Sequence, residues 1–213
     1  MNNPDKPDAK GDACCHLSLV VENDRISGFF PLLQQGVMIK AQVGCSIQVF
    51  LGQEVGVTGA TIERIQSIFL DGSPVDDLNA AMVRDGSVLA LSAAMPGLVG
   101  ATLRRGGAYS SSRNTITYHE DRAQCVPGEG YVQIKIFNLL MSELGPGLLK
   151  KGIYVKSAAL QTFLSEQSPD FWQECRQALL DGNAVGPQTL PDAVCIPAGD
   201  TVFLSITSPE RKA

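Results

Sequence analysis

Two clusters of side chains in this sequence carry groups that could bind a metal or perform nucleophilic chemistry. The first is the run Cys14, Cys15 and His16, and the second, residues 119–125, holds a histidine, a glutamate, an aspartate and Cys125. Thiolate, imidazole and carboxylate groups are the protein ligands of zinc. Adjacent thiols point apart, however, and no C-x-x-C spacing occurs in the chain, so the sequence predicts no metal site.

The elements around these clusters favour structural roles for them. The first cluster leads into an apolar stretch that predicts a strand over 16–21, and residues 115–118 predict a strand that ends at the second cluster. A nucleophile would have to recruit one of the chain's two histidines. Residues 145–152 fail the register of a phosphate-binding loop and predict a plain connecting loop. No catalytic residue is predicted, and an enzyme that uses Glu120, Asp121 and Cys125 remains an alternative.

Composition excludes several classes of partner. The 213 residues carry a formal net charge of −5 and only 6% aromatic residues, which argues against a surface that binds nucleic acid. The longest apolar stretch, residues 88–103, contains proline and glycine and is shorter than the roughly 18–20 residues that span a bilayer. Residues 1–12 lack the apolar region of a secretory signal. We therefore expect a cytoplasmic protein with reduced thiols, no membrane contact and no cofactor.

The two halves of the chain repeat each other. Five blocks of residues in the first half recur in the same order in the second half, at offsets of about 110–116 residues. The first block, Leu32-Leu33 with 36–40, corresponds to 148–149 with 152–156. The other pairs are 48–51 and 161–164, 70–72 and 180–182, Gly86 and Gly199, and 91–92 and 204–205. Insertions between the blocks would lie in loops, where they cost little. The sequence therefore predicts a duplication of one fold of about eighty residues.

Each copy predicts the same order of elements. First strands are expected at 16–21 and 131–137, second strands at 37–41 and 153–157, and helices around Phe50 and Phe163, followed by strands at 65–70 and 175–180 and last strands at 87–92 and 201–206. Asp71-Gly72 and Asp181-Gly182 predict type I′ hairpin turns, because both central positions need a positive φ. Residues 171–180 fit a helix as well as a strand.

This order is that of a β-grasp, or ubiquitin-like, fold. Residues 69–77 (FLDGSPVDD) and 83–91 (VRDGSVLAL) resemble the turn and the approach to the last strand in the ubiquitin-like sulfur carriers, the family of the molybdopterin-synthase small subunit and the thiamine-pathway carrier. The resemblance covers residues 37–107, and more thinly 131–206. It implies an α+β protein of two tandem β-grasp domains, each a mixed sheet with one main helix.

The resemblance ends at the residues that carry out sulfur transfer. Carriers of this family end in a free Gly-Gly carboxylate that becomes a thiocarboxylate. Here Arg104, Arg105, Gly106 and Gly107 imitate that tail, but the chain continues beyond them, and its last residues contain no glycine. Two interpretations remain: a flexible joint between the copies, or a processing site at which cleavage after Gly107 releases a carrier.

Residues 93–100 have no counterpart in the second copy and are apolar. They either pack across the joint or form a docking surface, so Met95, Pro96 and Gly97 join Arg104–Gly107 as predicted binding residues. The predicted domains are a disordered tail (1–13), β-grasp domains at 14–107 and 129–213, and between them a linker (108–128) with room for an extra strand.

We expect a non-catalytic protein that binds another protein, itself or a small ligand, as an accessory to a sulfur or cofactor pathway. The alternatives are the cleaved precursor and an enzyme with a site between the domains.

Overall fold

The computed structural model describes residues 15–113, 115–118, 125–192 and 201–209. The fold is mixed α+β, as the sequence predicts. Within the described ranges, no helix is both long enough and apolar enough to cross a membrane.

Strands and helices alternate along both halves of the chain. The strands are Cys15–Val21 (β1), Val37–Val43 (β2), Cys45–Ser46 (β3), Ser67–Leu70 (β4), Ser73–Pro74 (β5), Met82–Val83 (β6), Val88–Ser92 (β7), Gly128–Phe137 (β8), Ile153–Lys156 (β9), Cys175–Leu180 (β10), Asn183–Val185 (β11) and Thr201–Thr207 (β12). The α-helices are Phe30–Gln35 (α1), Ile47–Phe50 (α2), Gly59–Arg64 (α3), Gly97–Leu103 (α4), Leu140–Lys151 (α5), Ser157–Ser165 (α6) and Pro169–Gln173 (α7). A π-helical turn, Leu51–Val55, extends α2.

The described chain divides into two compact units. Unit one comprises residues 38–144, and unit two comprises residues 15–37 together with the described chain from 145 onward. The sequence-based boundaries, 14–107 and 129–213, divide the chain elsewhere. The difference arises because β1 pairs with β10 and β12, which come from the second half of the chain.

In unit one, five strands follow the order β2-β8-β7-β4-β5. The central strands β7 and β8 run parallel, with Leu89 opposite Ile134 and Leu91 opposite Ile136, and β7 runs antiparallel to β4. Those four side chains are fully buried. The alternate residues of β4, β7 and β8 face the other side of the sheet. Most of them, including Phe69, Ala90 and Phe137, are only partly covered, whereas Ser67 and Ser92 are buried.

In unit two, five strands follow the order β11-β10-β1-β12-β9. β1 lies parallel to β12, with Leu17 opposite Leu204, and antiparallel to β10. Phe29, Phe163 and Phe171 pack together with ring centroids 5.5 and 5.2 Å from Phe29, and Phe29 is fully buried. This cluster joins the chain after β1 to α6 and α7.

Both predicted Asp-Gly hairpins are present. Asp71 and Gly72 join β4 to β5 with φ of 51° and 84°, and Asp181 and Gly182 join β10 to β11 with φ of 49° and 81°. These positive values are the reason that aspartate and glycine occupy the two positions.

Several local predictions are settled by the structure. The ambiguous segment 171–180 contains both elements, since α7 ends at Gln173 and β10 begins at Cys175. Residues 145–152, expected as a loop, are wrongly predicted, because all but the last belong to α5, whose Leu148 and Leu149 are buried. The strand expected at 115–118 is also absent, because those residues form turns closed by Ile116 N–H and Thr117 N–H donating to the Arg113 carbonyl.

Candidate functional site

Unit one contains an apolar cavity of about 280 Å³ beside its sheet. Three strands and the segment that leads into α4 contribute its walls. The lining residues are Phe69, Ala90, Leu91, Ser92, Met95, Pro96, Phe137 and Asn138. Nearly all of this lining is apolar, and none of these side chains titrates near neutral pH.

The strands bring four of these side chains to one face of the sheet. Phe69 on β4 is the register partner of Ala90 on β7, and Ser92 at the end of β7 is opposite Phe137 on β8. Residues two apart on a strand point to the same side, so Phe69, Ala90, Ser92 and Phe137 share one face. Ala90 lies between its register partners Phe69 and Lys135 and diagonal to Phe137, and its small side chain leaves room above this part of the sheet.

Asn138 fastens the chain that closes the cavity. It adopts a left-handed conformation, with φ of 59°, which asparagine tolerates better than most residues. Its amide Nδ2 donates to Ser92 Oγ (3.0 Å) and to the Ala94 carbonyl (2.5 Å), and Ser92 Oγ donates to the same carbonyl (3.1 Å). The turn after β7 is therefore held against the end of β8.

The predicted binding residues 95–97 lie at this cavity. Met95 and Pro96 line it, and Gly97 begins α4 with φ of 74°. At Gly100 a Cβ would lie 1.7 Å from the Met95 carbonyl oxygen, so only glycine allows α4 to approach Met95 this closely. The next residues expose apolar side chains, since Leu98 is 73% and Val99 is 62% accessible.

The structure does not bring the other predicted binding residues into the cavity lining. Arg105 N–H donates to the Gln66 carbonyl (2.7 Å), Gly106 N–H donates to Asp76 Oδ1 (3.0 Å), and Gly107 N–H donates to the Arg104 carbonyl (3.1 Å). The Arg104–Gly107 run is thus bonded to unit one, in contrast to the flexible joint expected from its composition.

Arg113 stabilises this run and was missed by the sequence reasoning. Its side chain is 5% exposed. The guanidinium donates to Asp76 Oδ1 (2.7 Å), to Thr117 Oγ1 (3.0 Å) and to the carbonyls of Thr102 and Arg104 (2.8 and 3.3 Å). A buried guanidinium needs such a set of acceptors, and nothing in the local sequence around residue 113 signals where they come from.

The groups first considered for chemistry do not assemble into a site within the described chain. Cys14, His119, Glu120 and Asp121 lie outside the described residues. His16 packs its ring against Phe203 at 5.1 Å between centroids. In the described ranges no group of three or more histidine, cysteine, aspartate or glutamate side chains could hold a metal.

The surroundings of two thiols make them less acidic than a free cysteine. Burial raises the pKa of the Cys45 thiol, and the nearby charges of Glu54 and Cys125 raise it further. Burial also raises the pKa of Cys175. A reactive cysteine needs the opposite shift.

The sequence did not predict six of the lining residues, which are Phe69, Ala90, Leu91, Ser92, Phe137 and Asn138. The one signal that could have found Phe137 is the alternation of apolar and polar residues over 132–136, because Phe137 continues it on the less buried face of β8. Comparison of the chain with protein-family models, curated proteins and solved structures finds no match.

Proposed function

We propose that this chain is a non-catalytic tandem β-grasp protein that binds a small apolar ligand in the cavity of unit one. The cavity itself carries the proposal. Its volume of about 280 Å³ lies near the lower end of ligand-binding pockets, which are roughly 300–1,000 Å³. Its polar side chains, Ser92 and Asn138, bond to each other and to the Ala94 carbonyl, which suits retention of an apolar group.

The two Asp-Gly hairpins support the tandem β-grasp assignment. Each hairpin follows a helix and precedes a last strand, β7 or β12, that lies in a central parallel pair. In both units the parallel partner of that last strand is a first strand of a predicted repeat, β8 or β1. The first strands are exchanged, however, because β8 lies in unit one and β1 in unit two.

A neutral apolar probe, 4-phenylbutan-1-ol, tests the proposal. In two-dimensional amide NMR spectra of the full chain, we expect saturable shifts at residues 69, 90–95, 97 and 137–138. Ala90→Leu should fill the cavity and abolish them. Ala184→Leu, the same change on exposed β11, should leave binding unchanged. Equal binding by both variants, or shifts spread over both units, would contradict the proposal.

A second candidate function, self-association, is favoured by the apolar side chains that flank the cavity segments. Leu98 and Val99 on α4 and Leu139, next to Asn138, are 73%, 62% and 78% exposed. Clustered exposed apolar groups mark interaction surfaces. Sedimentation of the full chain should then show a dimer that Leu98→Glu with Val99→Glu converts to a monomer.

The alternative of a precursor cleaved after Gly107 receives less support from unit one. Cleavage there would separate β7 from β8, whose Val132, Ile134 and Ile136 are fully buried. A fragment ending at Gly107 would lack the strand that covers one side of β7. An intact-mass measurement on protein from its native cell tests this alternative, which predicts a species ending at residue 107.

A further inference from the structure

A lysine, Lys135, neighbours the strand residues that line the cavity. Lys135 on β8 is the register partner of Ala90 and precedes Phe137 by two residues, so its side chain leaves the sheet on the face that Ala90 and Phe137 share. Neighbouring side chains on one face lie about 5 Å apart. No hydrogen-bond or ion-pair partner for the Lys135 ammonium group occurs among the residues that the structure describes.

The donors within the cavity wall are already used. The Ser92 hydroxyl hydrogen bonds to the Ala94 carbonyl, and the two amide hydrogens of Asn138 bond to Ser92 Oγ and to that same carbonyl. The polar side-chain sites left unfilled in the wall are therefore acceptors, which repel an anion. A negative group on a ligand therefore finds no free side-chain donor in the cavity wall, but it can form an ion pair with the Lys135 ammonium group.

These two observations define the ligand more closely. Resting on the proposed function, we propose that the ligand is a small amphipathic monocarboxylate. Its aromatic or aliphatic body occupies the cavity against Phe69 and Phe137, and its carboxylate pairs with Lys135 Nζ on the Ala90 side.

The test compares 4-phenylbutyrate with its neutral analogue 4-phenylbutan-1-ol on the full chain, with dissociation constants taken from amide NMR titrations at low salt. We expect the acid to bind about three- to ten-fold more tightly than the alcohol, the range of one partly screened ion pair. Lys135→Gln should make the two constants equal without weakening the alcohol. Lys150→Gln, which removes an exposed charge on α5, is the matched control and should retain the preference.

The outcomes separate this inference from the proposed function. Equal binding of acid and alcohol by the wild-type chain, or an acid preference that survives Lys135→Gln, overturns the carboxylate assignment and leaves apolar binding intact. Failure of both probes to bind overturns both proposals. If Lys135→Gln does not fold, the salt dependence of the wild-type preference decides, since raising the salt to 1 M should remove most of it and a preference that persists refutes the ion pair.

Discussion

The two Asp-Gly hairpins make the same contacts with strands from different parts of the chain. Asp71 N–H donates to the Val88 carbonyl (2.9 Å), and Val88 N–H donates to Asp71 Oδ1 (2.7 Å). Asp181 N–H donates to the His16 carbonyl (2.8 Å), and His16 N–H donates to Asp181 Oδ1 (2.8 Å). Val88 lies 17 residues after Asp71, whereas His16 lies 165 residues before Asp181.

This comparison shows that the hairpin specifies a local docking site rather than a particular neighbour. An aspartate at the first turn position presents one N–H and one carboxylate oxygen, and any strand that begins opposite it can satisfy both. Which strand lies opposite the hairpin is then determined by the apolar side chains that this strand buries in the core. Leu89 in β7 and Leu17 in β1 are both fully buried, so each strand completes the core of its own unit.

The largest expected effect comes from truncating buried side chains in β8 and β1. Ile134→Ala in β8 and Leu17→Ala in β1 each remove a fully buried side chain and should lower the free energy of unfolding by about 2–5 kcal/mol. Amide hydrogen exchange should accelerate at residues 67–92 for Ile134→Ala, and at 175–192 and 201–207 for Leu17→Ala. The reverse result, in which Ile134→Ala accelerates exchange at 175–192 and 201–207, would contradict the pairing of β8 with β7 and of β1 with β10 and β12.

A second prediction concerns Gly152, which ends α5 before β9. Its φ is +100°, and a Cβ there would lie 2.0 Å from Phe203 Cζ on β12. Gly152→Ala should therefore cost about 1–2 kcal/mol for the left-handed backbone and about 1–3 kcal/mol more for overpacking. Gly147→Ala is the control, because a Cβ there meets no atom within 4 Å, and it should gain about 0.5–1 kcal/mol. Urea unfolding of both variants measures the difference, and equal stabilities would contradict it.

The features that could be predicted from the sequence are those set by neighbouring residues. Alternation in 132–136 indicated β8, the spacing of Leu160, Phe163 and Leu164 indicated α6, and the two Asp-Gly pairs indicated the hairpins. Each of these elements depends on residues that are close together in the sequence. Pro146 misled the prediction of 145–152, because a proline between two glycines is typical of a loop, although burial of Leu148 and Leu149 holds the helix.

The neighbour of each strand and the cavity could not be predicted in this way. The sequence of β1 is equally compatible with a place beside β7 or beside β12, since its apolar residues need only a buried face. The cavity depends on residues from four separate segments, and the small Ala90 is brought beside Phe69 and diagonal to Phe137 only by the pairing of β7 with β4 and β8. Met95 and Pro96 were predicted because they belong to residues 93–100, an apolar segment with no counterpart in the predicted second copy.

A smaller effect would show whether the two hairpins are energetically equivalent. Asp71→Ala and Asp181→Ala each remove the carboxylate acceptor and place alanine at φ near 50°, so each should lower the free energy of unfolding by about 1–3 kcal/mol. Asp→Asn at either position keeps an acceptor oxygen and the left-handed preference, and should cost less than half as much. A cost at Asp71 several-fold larger than at Asp181 in thermal or urea unfolding would mean that only one hairpin depends on its neighbour strand.

The smallest effect concerns the ion pair that fastens the chain after β1 to the residue before β10. Arg25 Nε and one terminal amine donate to the two carboxylate oxygens of Glu174 at 2.5 Å each, and this hydrogen bonding with the nearby positive charge lowers the pKa of Glu174 below its ordinary 4.5. A carboxyl group with a lowered folded-state pKa stabilises the fold above its unfolded-state pKa, and this stabilisation disappears as the pH falls through the folded-state value. The difference in free energy of unfolding between wild type and Glu174→Gln should therefore be largest near neutral pH and vanish in acid.

Glu166→Gln, which replaces an exposed glutamate, is the control and should show a smaller pH-dependent difference. A difference for Glu174→Gln that stays constant into acid would mean that the pair does not hold β1 beside β10.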